Sequence, residues 1–100
     1  MEKGEDSIKK VSEIIKALGH PARLEILLLL SGKKRKMSVT DIYESLGLTQ
    51  PETSRHLIVL KNGSVLNSIK EGSNSFYFIN EEHSFIRCMA NCMNKLKDDQ

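Results

Sequence analysis

Four side chains stand at helical spacing in Gln50-Pro51-Glu52-Thr53-Ser54-Arg55-His56-Leu57 and offer hydrogen-bonding chemistry: Gln50, Ser54, Arg55 and His56. Gln50, Ser54 and Arg55 face away from the apolar stripe of Thr53, Leu57 and Leu60. A guanidinium bonds guanine O6 and N7 bidentately or clamps a phosphate. A carboxamide pairs with adenine, and a hydroxyl serves either base or backbone. His56 lies toward the flank, where a phosphate contact and a structural hydrogen bond are both open. The second group is Cys88 and Cys92, the only thiols, spaced i, i+4. They read as a thiol sensor, as half of a soft-ion site completed by a second copy, or as packing within the stripe Phe85, Cys88, Met89, Cys92, Leu96. Two thiols do not close a tetrahedral site, and His83 is a lone imidazole, so no metal site and no cofactor are expected. No paired carboxylates, Ser/His/Asp set, Walker loop or glycine-rich nucleotide motif occurs, which argues against an enzyme.

The elements that must hold these residues follow from capping and periodicity. Ser38 caps one helix, with Asp41 three residues on. Thr49 caps the next, with Glu52 three residues on, and Pro51 occupies its first turn. Leu46-Gly47-Leu48 supplies a tight turn between them. The spacing predicts a helix-turn-helix over about 38–61 whose second helix presents its outer face to a major groove. Upstream, Ile8, Val11, Ile14, Ile15 and Leu18 mark a helix over 7–18. Pro21 opens a second, apolar on nearly every side through Leu30, which belongs at the centre of the domain. Downstream, Asn62-Gly63 ends the second helix of the pair, with Gly63 in the left-handed conformation. Strand-like segments at 65–70 and 75–79 flank the turn Glu71-Gly72-Ser73-Asn74, a hairpin or wing. Asn80 caps a last helix over about 81–97. The expected fold is mainly α with a small β-hairpin. It is a winged helix-turn-helix in the order helix, helix, helix, helix, hairpin, helix, forming one domain over 1–100.

Composition bounds the partners. The chain has 100 residues, 39% hydrophobic and 28% charged, as an ordinary globular protein does. Its longest apolar run, Ile26–Leu30, is far short of a membrane span. The start of the chain lacks an apolar signal region, so a cytoplasmic protein is expected. Net charge is +2, but residues 31–75 carry seven basic and four acidic side chains. The basic excess therefore falls on the segment that would face DNA. Lys33, Lys34, Arg35 and Lys36 belong to it and read as a solvated loop or as phosphate contacts. The apolar residues of the terminal helices exceed what so small a core covers. This points to a twofold dimer through Ile8, Val11, Ile15, Phe85, Met89, Cys92 and Leu96.

Ala17-Leu18-Gly19-His20-Pro21-Ala22-Arg23-Leu24-Glu25-Ile26-Leu27, Gln50-Pro51 with Ser54-Arg55-His56-Leu57, and Lys70-Glu71-Gly72 with Phe76-Tyr77 occur in order. In these motifs the chain resembles the ArsR/SmtB family of winged-helix repressors over roughly residues 8–97. The resemblance implies a homodimeric repressor that binds an imperfect promoter palindrome in double-stranded DNA and is released by an inducer. It implies DNA contacts from Gln50, Pro51, Ser54, Arg55 and His56, and from the wing residues Lys70, Ser73 and Asn74. Where the family's best-known metal site has Cys-Val-Cys, this chain has Ser38-Val39-Thr40, whose alcohols are poor ligands for thiophilic metals. Positions often basic in relatives are Ile58, Ile69, Ser73 and Asn74 here. Those residues motivate the alternative, a winged-helix protein-interaction module that has lost useful DNA affinity.

Overall fold

The computed structural model describes residues 2–32 and 36–98, and the side chains of residues 7–32 and 36–97. The elements are α1 (Glu2–Leu18), α2 (Pro21–Leu30), β1 (Met37–Ser38), α3 (Val39–Leu46), α4 (Gln50–Asn62), β2 (Leu66–Glu71), β3 (Asn74–Ile79) and α5 (Ser84–Asp98). Lys33, Lys34 and Arg35 of the expected basic loop lie outside the described residues.

Helix α2 is the hub. It touches α1, α3, α4, α5 and β3, and it buries Ile26, Leu27 and Leu30. His20 starts it as N-cap: its Nδ1 accepts the Ala22 N–H at 3.1 Å, and Pro21 follows where no donor is lost. Ile14, Ala17 and Leu18 of α1, Ile42 of α3, and Leu57 and Leu60 of α4 complete the core with Val65, Leu66, Ile79, Ile86 and Ala90. The expected inner face of α4 is therefore the observed one. Thr53 is also fully buried.

The hairpin is part of a three-stranded antiparallel sheet in the order β1-β3-β2. Strand β1 was not legible, because two residues carry no alternation. Met37 pairs with Tyr77 and Ser38 with Phe76, so Ser38 both ends a strand and caps α3. In the wing Leu66 opposes Ile79 and Glu71 opposes Asn74, which leaves Gly72-Ser73 as a two-residue turn. Gly72 has φ 64, a backbone that its missing Cβ makes accessible. The strands reach one residue further into the turn than expected.

Helix α1 begins at Glu2, earlier than the expected 7, and two further boundaries differ from the sequence reading for physical reasons. The left-handed residue after α4 is Ser64, with φ 64, and not Gly63, with φ −82. Gly63 is used for space instead: a Cβ there would lie 2.6 Å from the Ala17 Cβ of α1. Ser64 is held by the Lys10 ammonium, which donates to its Oγ at 2.7 Å, and by Asn80 Nδ2, which donates to its carbonyl at 3.0 Å. Asn80 is not the cap of α5. Its Oδ1 accepts the Glu82 N–H, and α5 begins only at Ser84, with His83 Nδ1 accepting the Phe85 N–H at 3.2 Å.

Helix α5 is also rotated from expectation. Ile86 and Ala90 are buried, and Phe85, Met89 and Met93 pack on the same core. Cys88 and Cys92 are exposed. The single stripe anticipated from Phe85 to Leu96 is thus split, and the cysteines do not pack in the subunit core. Asn94 fixes this rotation. It donates to the Ser31 carbonyl at 2.7 Å and accepts the Ser31 hydroxyl at 3.1 Å.

Candidate nucleic-acid interface

Helix α4 is set by a complete capping box. Thr49 Oγ1 accepts the Glu52 N–H at 3.3 Å, and the Glu52 carboxylate accepts the Thr49 N–H at 3.2 Å and its hydroxyl at 2.9 Å. The Thr49 hydroxyl, then its N–H, hold the Glu52 carboxyl below the usual carboxylate range, with a smaller effect of Arg55. This geometry decides what Arg55 is free to do. Glu52 is spent on the cap, and Arg55 makes no ion pair or hydrogen bond among the described residues. Arg55 is exposed in the second turn of the helix.

The outward face of α4 carries Gln50, Pro51, Arg55 and Ile58 as exposed residues, with Ser54 half-buried beside them. Their common orientation follows from Thr53, Leu57 and Leu60, which anchor the opposite side in the core. His56 is placed differently from the rest. It is half-buried, and its ring packs against His20 with centroids 4.5 Å apart. Burial, then the neighbouring His20 and Arg23, push its pKa below the ordinary histidine value. The structure therefore groups Gln50, Pro51, Ser54 and Arg55 on one face and draws His56 to the junction with α2. The sequence shows His20 only as one residue of the Ala17–Leu27 motif. Its position before Pro21 at a helix start was the available signal.

In the wing, Lys70, Ser73 and Asn74 are exposed, Ser73 in the turn and Asn74 opening β3. Alternation puts Leu66, Ser68 and Lys70 on the face of Tyr77 and Ile79, and Asn67 and Ile69 on the face of Phe76 and Phe78. Lys36 braces the second face. Its ammonium lies 3.0 Å from a Glu71 carboxylate oxygen and 5.4 Å from the centroid of the Phe76 ring. Lys36 is thus committed to the wing. Exposed Cys88 and Cys92 line a shallow groove on α5 with Ser84, Arg87, Asn91 and Lys95. Among the described residues no three His, Cys, Asp or Glu side chains cluster as a metal site would require, and no helix is long and apolar enough to cross a membrane.

Residues 20–68, from the α2 cap into β2, match the family model described as bacterial regulatory protein, arsR family. An HTH-type transcriptional regulator of Methanocaldococcus jannaschii is 42% identical over 74 residues, 74% of this chain and 82% of the relative. The chain belongs to the ArsR family. A second relative, the transcriptional repressor SdpR of Bacillus subtilis, is 32% identical over 91 residues, 89% of this chain and 99% of SdpR. Among solved structures, the homodimeric winged helix-turn-helix DNA-binding domain of a possible ArsR-family regulator from Mycobacterium bovis superposes with a TM-score of 0.80. It is 25% identical, with 99% of this chain and 89% of that one covered. The fold is the winged helix-turn-helix, and this ArsR-family member is a DNA-binding transcriptional regulator and not an enzyme.

Proposed function

We propose that two copies of this chain join through α1 and α5 and repress transcription by seating both α4 helices in successive major grooves of a promoter palindrome. The observation that carries the reading is the outward face of α4. There a capping box engages the Glu52 carboxylate and leaves Arg55, among the described residues, without an ion-pair partner beside Gln50 and Ser54. Arg55 and Gln50 read base edges, Ser54 and Pro51 approach the sugar-phosphate wall, and Lys70, Ser73 and Asn74 meet the backbone beside the groove. His56 acts from behind this face and orients α4 through His20.

The dimer is supported by apolar surface that one subunit leaves open. Ile8, Ile15 and Leu96 are 72%, 54% and 53% exposed on the two terminal helices. Val11, Phe85 and Met89 are half-buried and lend only their outer edges, and Cys92 is exposed next to them. The Mycobacterium bovis relative described above is homodimeric. A twofold pair sets the two α4 helices about 34 Å apart, one turn of B-DNA. The site of action is then the cytoplasm, where the promoter is.

Footprinting on the promoter region beside the chain's own gene tests the reading. The expected result is a protected pseudo-palindrome with half-sites one helical turn apart. Equal affinity for that promoter and for unrelated duplexes at every salt concentration would refute it.

A further inference from the structure

We propose that Ile58 reads a thymine 5-methyl group in each half-site and so determines sequence preference beyond the polar contacts of α4. The inference rests on the DNA-binding reading above. Ile58 is 57% exposed, although its neighbours Leu57 and Leu60 are fully buried. It follows Ser54 by four residues, Arg55 by three and Pro51 by seven, and so stands at the middle of the outward face. Helical side chains lean toward the N-terminus, so Ile58 covers the turn that carries Ser54 and Arg55. Any docking that brings the Arg55 guanidinium to a base edge brings Ile58 into the same groove.

What Ile58 meets there is constrained by its chemistry. It has no charge for a phosphate and no donor or acceptor for a base edge. Set over a guanine, adenine or cytosine edge, it would strip water from polar groups and leave them unpaired, which is costly. The major groove offers one apolar group, the C5-methyl of thymine. Ile58 against that methyl removes apolar surface of both partners from water and leaves no polar group stranded. The residue has no competing structural duty, since its exposure shows that the subunit core does not use it.

The test starts from duplexes selected by the wild-type protein out of a random pool. Each thymine of the selected site is then replaced singly by deoxyuridine, which removes the methyl and nothing else. The expected result is one thymine per half-site whose loss weakens wild-type binding about fourfold, the worth of one buried methyl group. Ile58→Ala should bind the thymine and deoxyuridine duplexes equally, with an unchanged melting temperature because the site is exposed. Ile58→Lys should also ignore the methyl, while binding with steeper salt dependence through a new phosphate contact. The proposal is overturned if no thymine shows a methyl effect, or if Ile58→Ala and Ile58→Lys keep the wild-type effect. If selection enriches no sequence at all, the DNA-reading role of α4 fails and this inference fails with it. An Ile58→Ala chain that instead loses a bound protein partner, with DNA affinity intact, assigns Ile58 to protein docking and also overturns it.

Discussion

The imidazole rings of His20 and His56 pack 4.5 Å apart with a 50° tilt, and so couple the cap of the central helix to the recognition helix. His20 is itself fixed, because its Nδ1 accepts the Ala22 N–H. The rotation of α4 about its axis is thus referred to α2, which every other helix touches. That rotation decides where Gln50 and Arg55 point.

This junction predicts a pH dependence. Burial first, then His20 and Arg23, depress the His56 pKa below its ordinary value of 6.5. In the window between the two values the unfolded chain binds more protons than the native one, so stability rises with pH across it. The contribution is complete above 6.5 and is lost as pH falls through the depressed native value. Urea midpoints should therefore drop on the acid side of neutrality for wild type and vary less for His56→Gln. Identical profiles for the two proteins would rule out His56 as the source. Glu52, whose pKa is also lowered, acts in a separate window below 4.5.

Gly63 predicts an overpacking defect at a residue with an ordinary backbone. Its φ is −82, so alanine meets no backbone penalty, but its Cβ would sit 2.6 Å from the Ala17 Cβ. Gly63→Ala should destabilise by about 1–3 kcal/mol as α1 is pushed off α4. Ala17→Gly should recover part of that loss in the double variant, read as a coupling energy from denaturant melts. Additive single effects would show that the two sites do not touch.

Much of the fold is legible in the sequence, and the features that are not share a cause. Ser38 and Thr49 were readable as caps because capping is local: one side chain, one N–H, three residues apart. Pro21 and Gly47 were readable for the same reason. The left-handed position fell to Ser64 because Ala17, distant in sequence, claims the space at Gly63. Strand β1 exists only because Tyr77 and Phe76 lie opposite it. The rotation of α5 depends on Ser31, far from Asn94 in sequence. On α4, periodicity identified the face, but the withdrawal of His56 needed His20, which no local pattern connects to it.

Arg55 should be the largest single contributor to sequence reading. It is exposed and has no ion-pair partner among the described residues, since Glu52 is held by Thr49. Arg55→Ala should weaken operator binding by about 1–3 kcal/mol and relax preference at one base pair per half-site. For the wild-type dimer, a few phosphate contacts per subunit give a salt slope of roughly −4 to −6. Fluorescence anisotropy on an operator library against salt reads both. Unchanged affinity together with unchanged preference would exclude the docking proposed here.

Ile15 offers a clean test of the dimer, because it is exposed in the subunit and Ile14 beside it carries the core contact. Ile15→Glu should keep its helical signal while sedimenting at the 11.3 kDa monomer mass. Two carboxylates forced into an apolar twofold contact have no partner, and each costs several kcal/mol on the order expected for an unpaired buried charge. A wild-type chain that is monomeric at micromolar concentration would remove the premise. A variant that stays dimeric would move the interface off this face of α1.

Cys88 and Cys92 carry the last prediction. They lie one turn apart and exposed, beside Arg87 and Lys95, and they stand on the helix proposed to meet the second subunit. Because neither side chain fills the subunit core, Cys88→Ala/Cys92→Ala should change subunit stability by no more than about 0.5 kcal/mol. That separates a sensing role from a packing role. Adding bulk or charge to either thiol, or bridging thiols across the dimer with a soft ion, would alter how two α5 helices pack. The spacing of the two α4 helices would then shift away from one DNA turn. Operator release should therefore follow treatment of the wild-type dimer with at least one of an oxidant, a persulfide donor, zinc, cadmium or arsenite. The double variant should hold DNA under the same treatment. A wild-type protein that ignores all five, or a double variant that responds equally, would leave the cysteines without a sensing role and return the search for the inducer to other surfaces.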